Sequence, residues 1–127
     1  MSGICLACQI RGSEVIVGAE SHIHLYEQGG ISTIGGVYSH TVPNEKDGTM
    51  DLGKVEAAIR ESGDIHSPIT RLICIENTHA RFTSCSELSH RWCIFGHENY
   101  HSRPFYLCMF TMMTSSFRKV TFHMPVS

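Results

Sequence analysis

The side chains best suited to chemistry in this 127-residue chain are its nine histidines and six cysteines. Cys5 and Cys8 have the two-residue spacing of zinc ligands, and a second group lies in the last third of the chain: Cys85, His90, Cys93 and His97. A structural zinc site needs four such ligands converging on one ion. Cys5 and Cys8, however, lie in an apolar segment typical of the end of a buried helix, where cysteine is an ordinary core residue. The later group fits no familiar zinc module. A small Cys/His metal-binding module is therefore kept as an alternative, and no metal ligand is predicted.

His22 and His79 suggest catalysis rather than metal binding, because each follows a short apolar segment typical of a strand. An imidazole can take up or release a proton near neutral pH, which suits general acid–base work. The plain alternative is that each is a surface or core histidine. The two residues by themselves leave both readings open.

Alternating strands and helices would position these histidines. Strands are predicted over 14–18, 37–42 and 71–75, and a polar turn is predicted over 44–48. Helices are predicted from His22 through Tyr26 to Gly29–Gly30, capped by Ser21, and from Leu52 to Arg60, capped by Asp51. The third strand is almost continuously apolar, as in a parallel sheet covered on both faces. This alternation predicts an α/β layer fold with a mostly parallel sheet.

The composition changes near residue 80. Ten of the eleven glycines precede it, whereas all six phenylalanines and the single tryptophan follow it. We therefore expect residues 1–79 to form one unit and residues 80–127 to be a divergent tail without a recognisable domain, packed without a shared core. Within the tail, a helix over 86–93 and a strand or helix over 105–113 are indicated.

The net charge and the distribution of apolar residues argue against several classes of function. A formal charge of -2 with scattered Lys and Arg argues against nucleic-acid binding. The longest apolar run, 105–110, is far shorter than the roughly 18 residues of a membrane span. No signal peptide is indicated at the first residues. A cytoplasmic protein with reduced thiols is expected.

Six motifs, taken together in their order along the chain, resemble those of a known family. The motifs are Arg11-Gly-Ser-Glu-Val-Ile-Val-Gly18, Ser21-His-Ile-His-Leu-Tyr-Glu-Gln-Gly-Gly30, Asp47-Gly-Thr-Met-Asp-Leu52, Val55-Glu-Ala-Ala-Ile-Arg60, Asp64-Ile-His-Ser-Pro68 and Thr70-Arg-Leu-Ile-Cys-Ile-Glu-Asn-Thr-His79. Their order and spacing, more than any single motif, resemble threonine aldolases of the β-eliminating lyase family. That resemblance implies part of the large domain of a fold-type I pyridoxal-phosphate enzyme over residues 1–79, with an unrelated C-terminal tail.

The resemblance also implies a reaction and a cofactor. The family cleaves threonine or allo-threonine to glycine and acetaldehyde, a step of amino-acid metabolism, and pyridoxal 5'-phosphate acts as the electron sink. Three site residues carry over. His22 matches the histidine that stacks on the cofactor ring, and His79 the histidine near the substrate hydroxyl. Glu27 matches a carboxylate that lines the site and orients a histidine or water.

The lysine to which this family attaches its cofactor has no counterpart here. The chain has three lysines, Lys46, Lys54 and Lys119, and none stands in the family's sequence context. Two interpretations follow beside the metal-binding one. The chain is either an active lyase acting on a small amino acid, with homo-oligomers expected, or an inactive, truncated or alternatively spliced fragment that docks on full-length subunits.

Overall fold

A computed structural model describes residues 8, 10–60 and 65–76, and the backbone of two later strands. The elements follow in the order β1 (Glu14–Gly18), α1 (His22–Leu25), α2 (Gly30–Thr33), β2 (Tyr38–Val42), α3 (Leu52–Ala58), β3 (Thr70–Glu76), β4 (Tyr106–Met113) and β5 (Ser116–His123). None of the helices in these ranges is long and apolar enough to cross a membrane.

The strands form one five-stranded sheet in the order β2-β1-β3-β4-β5. The first four strands of this order run parallel, and β5 runs antiparallel to β4. Crossovers between parallel strands place helices on the sheet faces. The α/β class and the mostly parallel sheet are therefore confirmed.

Both faces of the sheet are covered, which explains why β1 and β3 are nearly continuous apolar runs. Every residue of β1 is buried. On one face Ile16 packs with Ile73 and with Val55 of α3. On the other face, Val15 and Val17 pack in a cluster that contains Ile31 of α2. Alternate residues of β1 thus serve two cores, as the period of two in a strand requires.

The helix predicted from His22 through Tyr26 to Gly29–Gly30 begins at His22 as predicted but already ends at Leu25, so its predicted end is wrong. A separate helix, α2, begins at Gly30. The chain turns between them because Gln28 and Gly29 have φ of 51° and 68°. These values lie in the left-handed region, which cannot continue a right-handed helix. Gly29 precedes α2 as its N-cap residue.

The helix after Asp51 is confirmed, together with its cap. The Asp51 side chain accepts a hydrogen bond from the Lys54 backbone N–H at 2.9 Å, which satisfies one of the amides left open at the start of a helix. The helix ends at Ala58 rather than Arg60, because Ile59 has the extended ψ of 126°.

The tail does not stay apart from the first unit, so that expectation is wrong. β4 pairs in parallel with β3, from Leu72 opposite Tyr106 to Glu76 opposite Phe110. Without β4, β3 would be an edge strand with unpaired backbone N–H and C=O groups. β4 provides hydrogen-bond partners for these groups. The segment left undecided over 105–113 is a strand. The helix predicted over 86–93 lies outside the described residues, as does most of the apolar segment 4–10.

Gly18, the last residue of β1, has no room for a side chain. A Cβ there would lie 2.7 Å from both Nδ2 and Oδ1 of Asn44. The Asn44 amide has little freedom to move, since it accepts from the Glu20 N–H at 2.9 Å and donates to the Gly48 carbonyl at 3.0 Å. Gly18→Ala is expected to lower the free energy of unfolding by about 1–3 kcal/mol through this overpacking, measured by urea denaturation.

A double-variant cycle isolates the cause of that loss. Asn44→Ala removes the crowding atoms, so the Gly18→Ala and Asn44→Ala effects should be clearly less than additive. Strict additivity would show that Gly18 is required for another reason.

Candidate active site

The carboxyl ends of β1, β2 and β3 lie side by side, because these strands are adjacent and parallel. In open α/β sheets, ligands bind in the crevice outside these ends. The chain leaving β1 enters α1 here, and α1 carries His22 as its first residue. The fold thus places one of the predicted site residues at the edge where a ligand is expected.

The turn that carries His22 is held first by its own residues and by β2. The Ser21 hydroxyl donates to the Gly18 carbonyl at 2.7 Å, and the Ser21 side chain is buried. From the β2 side, Asn44 accepts from the Glu20 backbone N–H. These bonds fix the path of the chain between β1 and α1.

A third contact reaches the turn from β3. The backbone N–H of His22 donates to Oε2 of Glu76 at 2.9 Å, although the two residues are 54 positions apart. Glu76 is the last residue of β3 and is half-buried. The start of α1 is therefore tied to both neighbouring strands, β2 through Asn44 and β3 through Glu76.

The His22 imidazole lies against two residues of the same segment. Its Nε2 is 3.3 Å from Oε1 of Glu27, and the two side chains are 29% and 27% exposed. Its ring centroid is 5.3 Å from that of Tyr26, with the rings tilted by 42°. A carboxylate beside one ring nitrogen selects the tautomer and the ring orientation. With its Nε2 side facing Glu27, the partly exposed imidazole can offer a flat face to a ligand.

The structure brings two of the three predicted site residues together. His22 and Glu27 are in contact, whereas His79 lies outside the described residues. The prediction that His22 and His79 share one rim therefore stays a prediction. Of the segment that leads to His79, the structure describes Glu76, which stands three positions before His79 in sequence and contacts His22.

Two of the three lysines are described, and both are exposed near the loop after β2. The Lys54 ammonium donates to Oε1 of Glu45 at 3.0 Å. That hydrogen bond, with the charge of Glu45, raises the pKa of Lys54 above its ordinary value of 10.5. Lys119 lies on β5, which β3 and β4 separate from β1. Lys54 is thus an exposed lysine whose ammonium group is paired with Glu45.

A metal site made of three or more His, Cys, Asp or Glu side chains is not found among the described residues. Cys8 and Cys74 are buried, and both belong to the cluster around Val15 and Val17. Cys5 and the later Cys/His group lie outside the described part, so the metal-binding alternative is not tested there.

Two residues important to this edge were not singled out from the sequence. Glu76 ends an apolar strand within the motif that contains His79. An acidic residue at the end of a buried strand could have indicated a site residue. Asn44 is the first residue with a polar side chain after Val42, but nothing in the sequence indicates that it reaches across to the Glu20 amide. Contacts between segments far apart in sequence are not visible in local patterns.

Comparisons with known proteins point to one family. The profile of the beta-eliminating lyases matches residues 3–89, beyond the composition change near residue 80. The chain is 58% identical over 78 residues to the probable low-specificity L-threonine aldolase 2 of Arabidopsis thaliana, and 63% identical over 78 residues to the low-specificity L-threonine aldolase 1 of that plant. Each alignment covers 61% of this chain and 22% of the relative, so the chain spans about a fifth of their length.

A solved structure of the threonine aldolase of Leishmania major is similar in fold. Its TM-score is 0.66 at 24% identity, and the match covers 85% of this chain and 31% of that chain. The structural match covers more of this chain than the 61% aligned with the plant proteins.

Proposed function

Because the chain belongs to the beta-eliminating lyase family, we propose that residues 14–79 form part of the active site of a pyridoxal-phosphate-dependent threonine aldolase. The observation that carries the proposal is the placement of His22. It stands at the carboxyl edge of a parallel sheet, held through its backbone by Glu76 and through its ring by Glu27. The substrate class proposed is threonine or allo-threonine, cleaved to glycine and acetaldehyde.

The described residues fit one side of a pyridoxal-phosphate site. The His22 imidazole is partly exposed and oriented by Glu27, as a group that covers an aromatic ring must be. When bound, the cofactor supplies an electron sink for the carbanion left on the glycine carbon. His22 binds and covers the ring, Glu27 fixes the position of the His22 proton, and His79 is proposed to take the proton of the substrate hydroxyl. The described lysines do not fit the role of covalent anchor.

Partners and location are proposed on the same basis. The family resemblance favours assembly with further subunits, either copies of this chain or full-length relatives. We also propose a cytoplasmic location, a reducing compartment in which disulfides are rare.

Binding of pyridoxal phosphate to the purified chain tests the role of His22. Equilibrium dialysis, followed by cofactor absorbance, should show binding weakened about two- to tenfold in His22→Ala, the loss expected for one aromatic stacking contact. His24→Ala is the matched control, since His24 lies on the same helix and is exposed, with its Nδ1 3.4 Å from the Ser39 hydroxyl. Equal affinities in the two variants would contradict the proposed stacking role.

A second candidate function is that of a non-catalytic subunit, which a specific observation favours. Lys54 is engaged by Glu45 and is 54% exposed, so it is poorly suited to hold a cofactor covalently. In this reading the chain keeps the ring-covering part of the site without the covalent one. The two candidates differ in whether the polypeptide by itself releases acetaldehyde from threonine.

A further inference from the structure

The first turn of α1 lacks the cap that its sequence predicts. Ser21 occupies the N-cap position, but its side chain makes no capping bond and donates instead to the Gly18 carbonyl. The amides at the start of a helix have no partner within the helix and need an acceptor from elsewhere. The acceptor for His22 must therefore come from another element.

Glu76 provides that acceptor from the end of β3. Its Oε2 receives the His22 N–H at 2.9 Å, a distance typical of a charge-assisted hydrogen bond. The strand behind it is firmly placed, since Leu72, Ile73, Cys74 and Ile75 are all buried. The carboxylate thus connects the first residue of α1 to the buried centre of the sheet.

The orientation of α1 depends on few other contacts. The helix has four residues, none of them buried, and a helix of one turn is not stable by itself. Only Ile23 packs against a core cluster, and it is partly buried. The hydrogen bond at its first residue therefore acts together with the Ser21 and Asn44 contacts of the preceding turn and with the ring contact to Glu27 in fixing the direction of the His22 side chain.

We propose that Glu76 is a positioning residue for His22, acting through the hydrogen bond from the His22 backbone N–H to the Glu76 carboxylate. The consequence for the site rests on the proposed function, because it assumes that the His22 ring covers the cofactor. Glu76 also stands three positions before His79 in sequence.

Three substitutions and one control distinguish positioning of His22 from a general effect of losing a carboxylate. Glu76→Ala removes the acceptor, Glu76→Asp keeps the charge but withdraws it by one methylene, and Glu76→Gln keeps an oxygen at the same reach. Glu45→Ala is the control, because it also removes one carboxylate but Glu45 pairs with Lys54 on the exposed loop. Urea denaturation of every variant first establishes that it is folded.

The direct readout is the His22 amide in the 127-residue chain labelled with ¹⁵N. In Glu76→Asp and Glu76→Ala its protection from hydrogen exchange should fall about tenfold or more, as expected for loss of a hydrogen bond to a charged group. The ¹⁵N and ¹³C shifts of the His22 ring should move with it. Glu76→Gln should retain most of the protection, and Glu45→Ala should match the parent chain. Unchanged protection and ring shifts in Glu76→Asp would overturn the proposal, even if Glu76→Ala fails to fold.

Cofactor affinity provides the second readout and distinguishes the two proposals. If His22 covers the ring, Glu76→Asp should weaken pyridoxal-phosphate binding, and the Glu76→Asp/His22→Ala double variant should bind no more weakly than His22→Ala alone. Additive losses would overturn positioning through His22. Failure of the parent chain to bind the cofactor would contradict the proposed function, whereas the amide and ring measurements would still decide the role of Glu76.

Discussion

Replacing Arg60 by methionine is expected to lower the free energy of unfolding by about 2–3 kcal/mol, because it leaves a buried carboxylate without its cation. Glu14 is completely buried at the start of β1. Its Oε2 is 3.2 Å from Nη1 of Arg60, and its Oε1 accepts a hydrogen bond from the Thr70 hydroxyl at 2.6 Å. His40 also approaches Oε1, at 3.4 Å. Arg60 is the one permanently charged partner in this set.

The magnitude follows from how far Arg60 is exposed. Removing one partner of a fully buried ion pair costs about 3–5 kcal/mol, but the Arg60 side chain is 38% exposed, and Thr70 still satisfies one oxygen after the change. Methionine keeps most of the aliphatic stem, so the loss reports mainly on the charge. The contact of the guanidinium with the Tyr38 ring, at 5.9 Å, adds to it.

Lys54→Met is the matched control for Arg60→Met. It also replaces a cation by methionine, but the partner, Glu45, is 48% exposed, and exposed pairs contribute little. Glu14→Gln combined with Arg60→Met should recover part of the loss, because the amide needs no cation and its oxygen can still accept from Thr70. Chemical denaturation of the four proteins checks this. Equal losses in Arg60→Met and Lys54→Met would mean that the buried carboxylate does not depend on Arg60.

The buried Glu14 illustrates a limit of sequence reasoning. The short β-branched run predicted β1 with its observed bounds, and the apolar run of β3 correctly indicated a parallel strand covered on both faces. A glutamate at the start of β1 gave no sign of complete burial, however. Its partners come from β2, β3 and the segment after α3, and the one-residue shift of register beside Glu14 brings Thr70 opposite it. Such a bulge is set by pairing between strands and not by local sequence.

The helix and tail predictions failed for related reasons. The apolar and polar pattern from His22 to Gly30 fits one helix, but the helix ends at Leu25, and the chain turns through the left-handed residues Gln28 and Gly29 before α2 begins. The tail was separated from the sheet on composition alone. Composition says nothing about backbone pairing, and β4 pairs with the backbone groups at the edge of β3.

At the candidate site, the resemblance of motifs supplied His22, Glu27 and His79, and the contact between His22 and Glu27 agrees with a carboxylate that orients a histidine. The residues that hold these groups in place could not be identified from the sequence. Glu76 and Asn44 act through the backbone amides of His22 and Glu20. A side chain that binds a distant backbone amide leaves no periodic signal, so it becomes visible only once the strands are arranged in space.

The 127-residue polypeptide is expected to release no acetaldehyde from L-threonine or L-allo-threonine above the rate of free pyridoxal phosphate. Covalent attachment of the cofactor requires a neutral lysine amine at the carboxyl edge of the sheet. Lys54 is exposed and paired with Glu45, and the hydrogen bond between them raises the pKa of Lys54, which favours the protonated form. Lys46 is exposed in the loop after β2. Lys119 stands on β5, separated from β1 by two strands, and outside the family's motif.

Acetaldehyde is measured with a coupled alcohol dehydrogenase, and a full-length threonine aldolase serves as positive control under the same conditions. Borohydride reduction followed by peptide mapping gives an independent answer, because it marks any lysine that has bound the cofactor. We expect sparse labelling spread over Lys46, Lys54 and Lys119, as for unselective surface amines. Turnover above background together with stoichiometric label on one lysine would show that the chain completes an active site with that residue. The non-catalytic reading would then give way to the active lyase, with His22 still assigned to the cofactor ring.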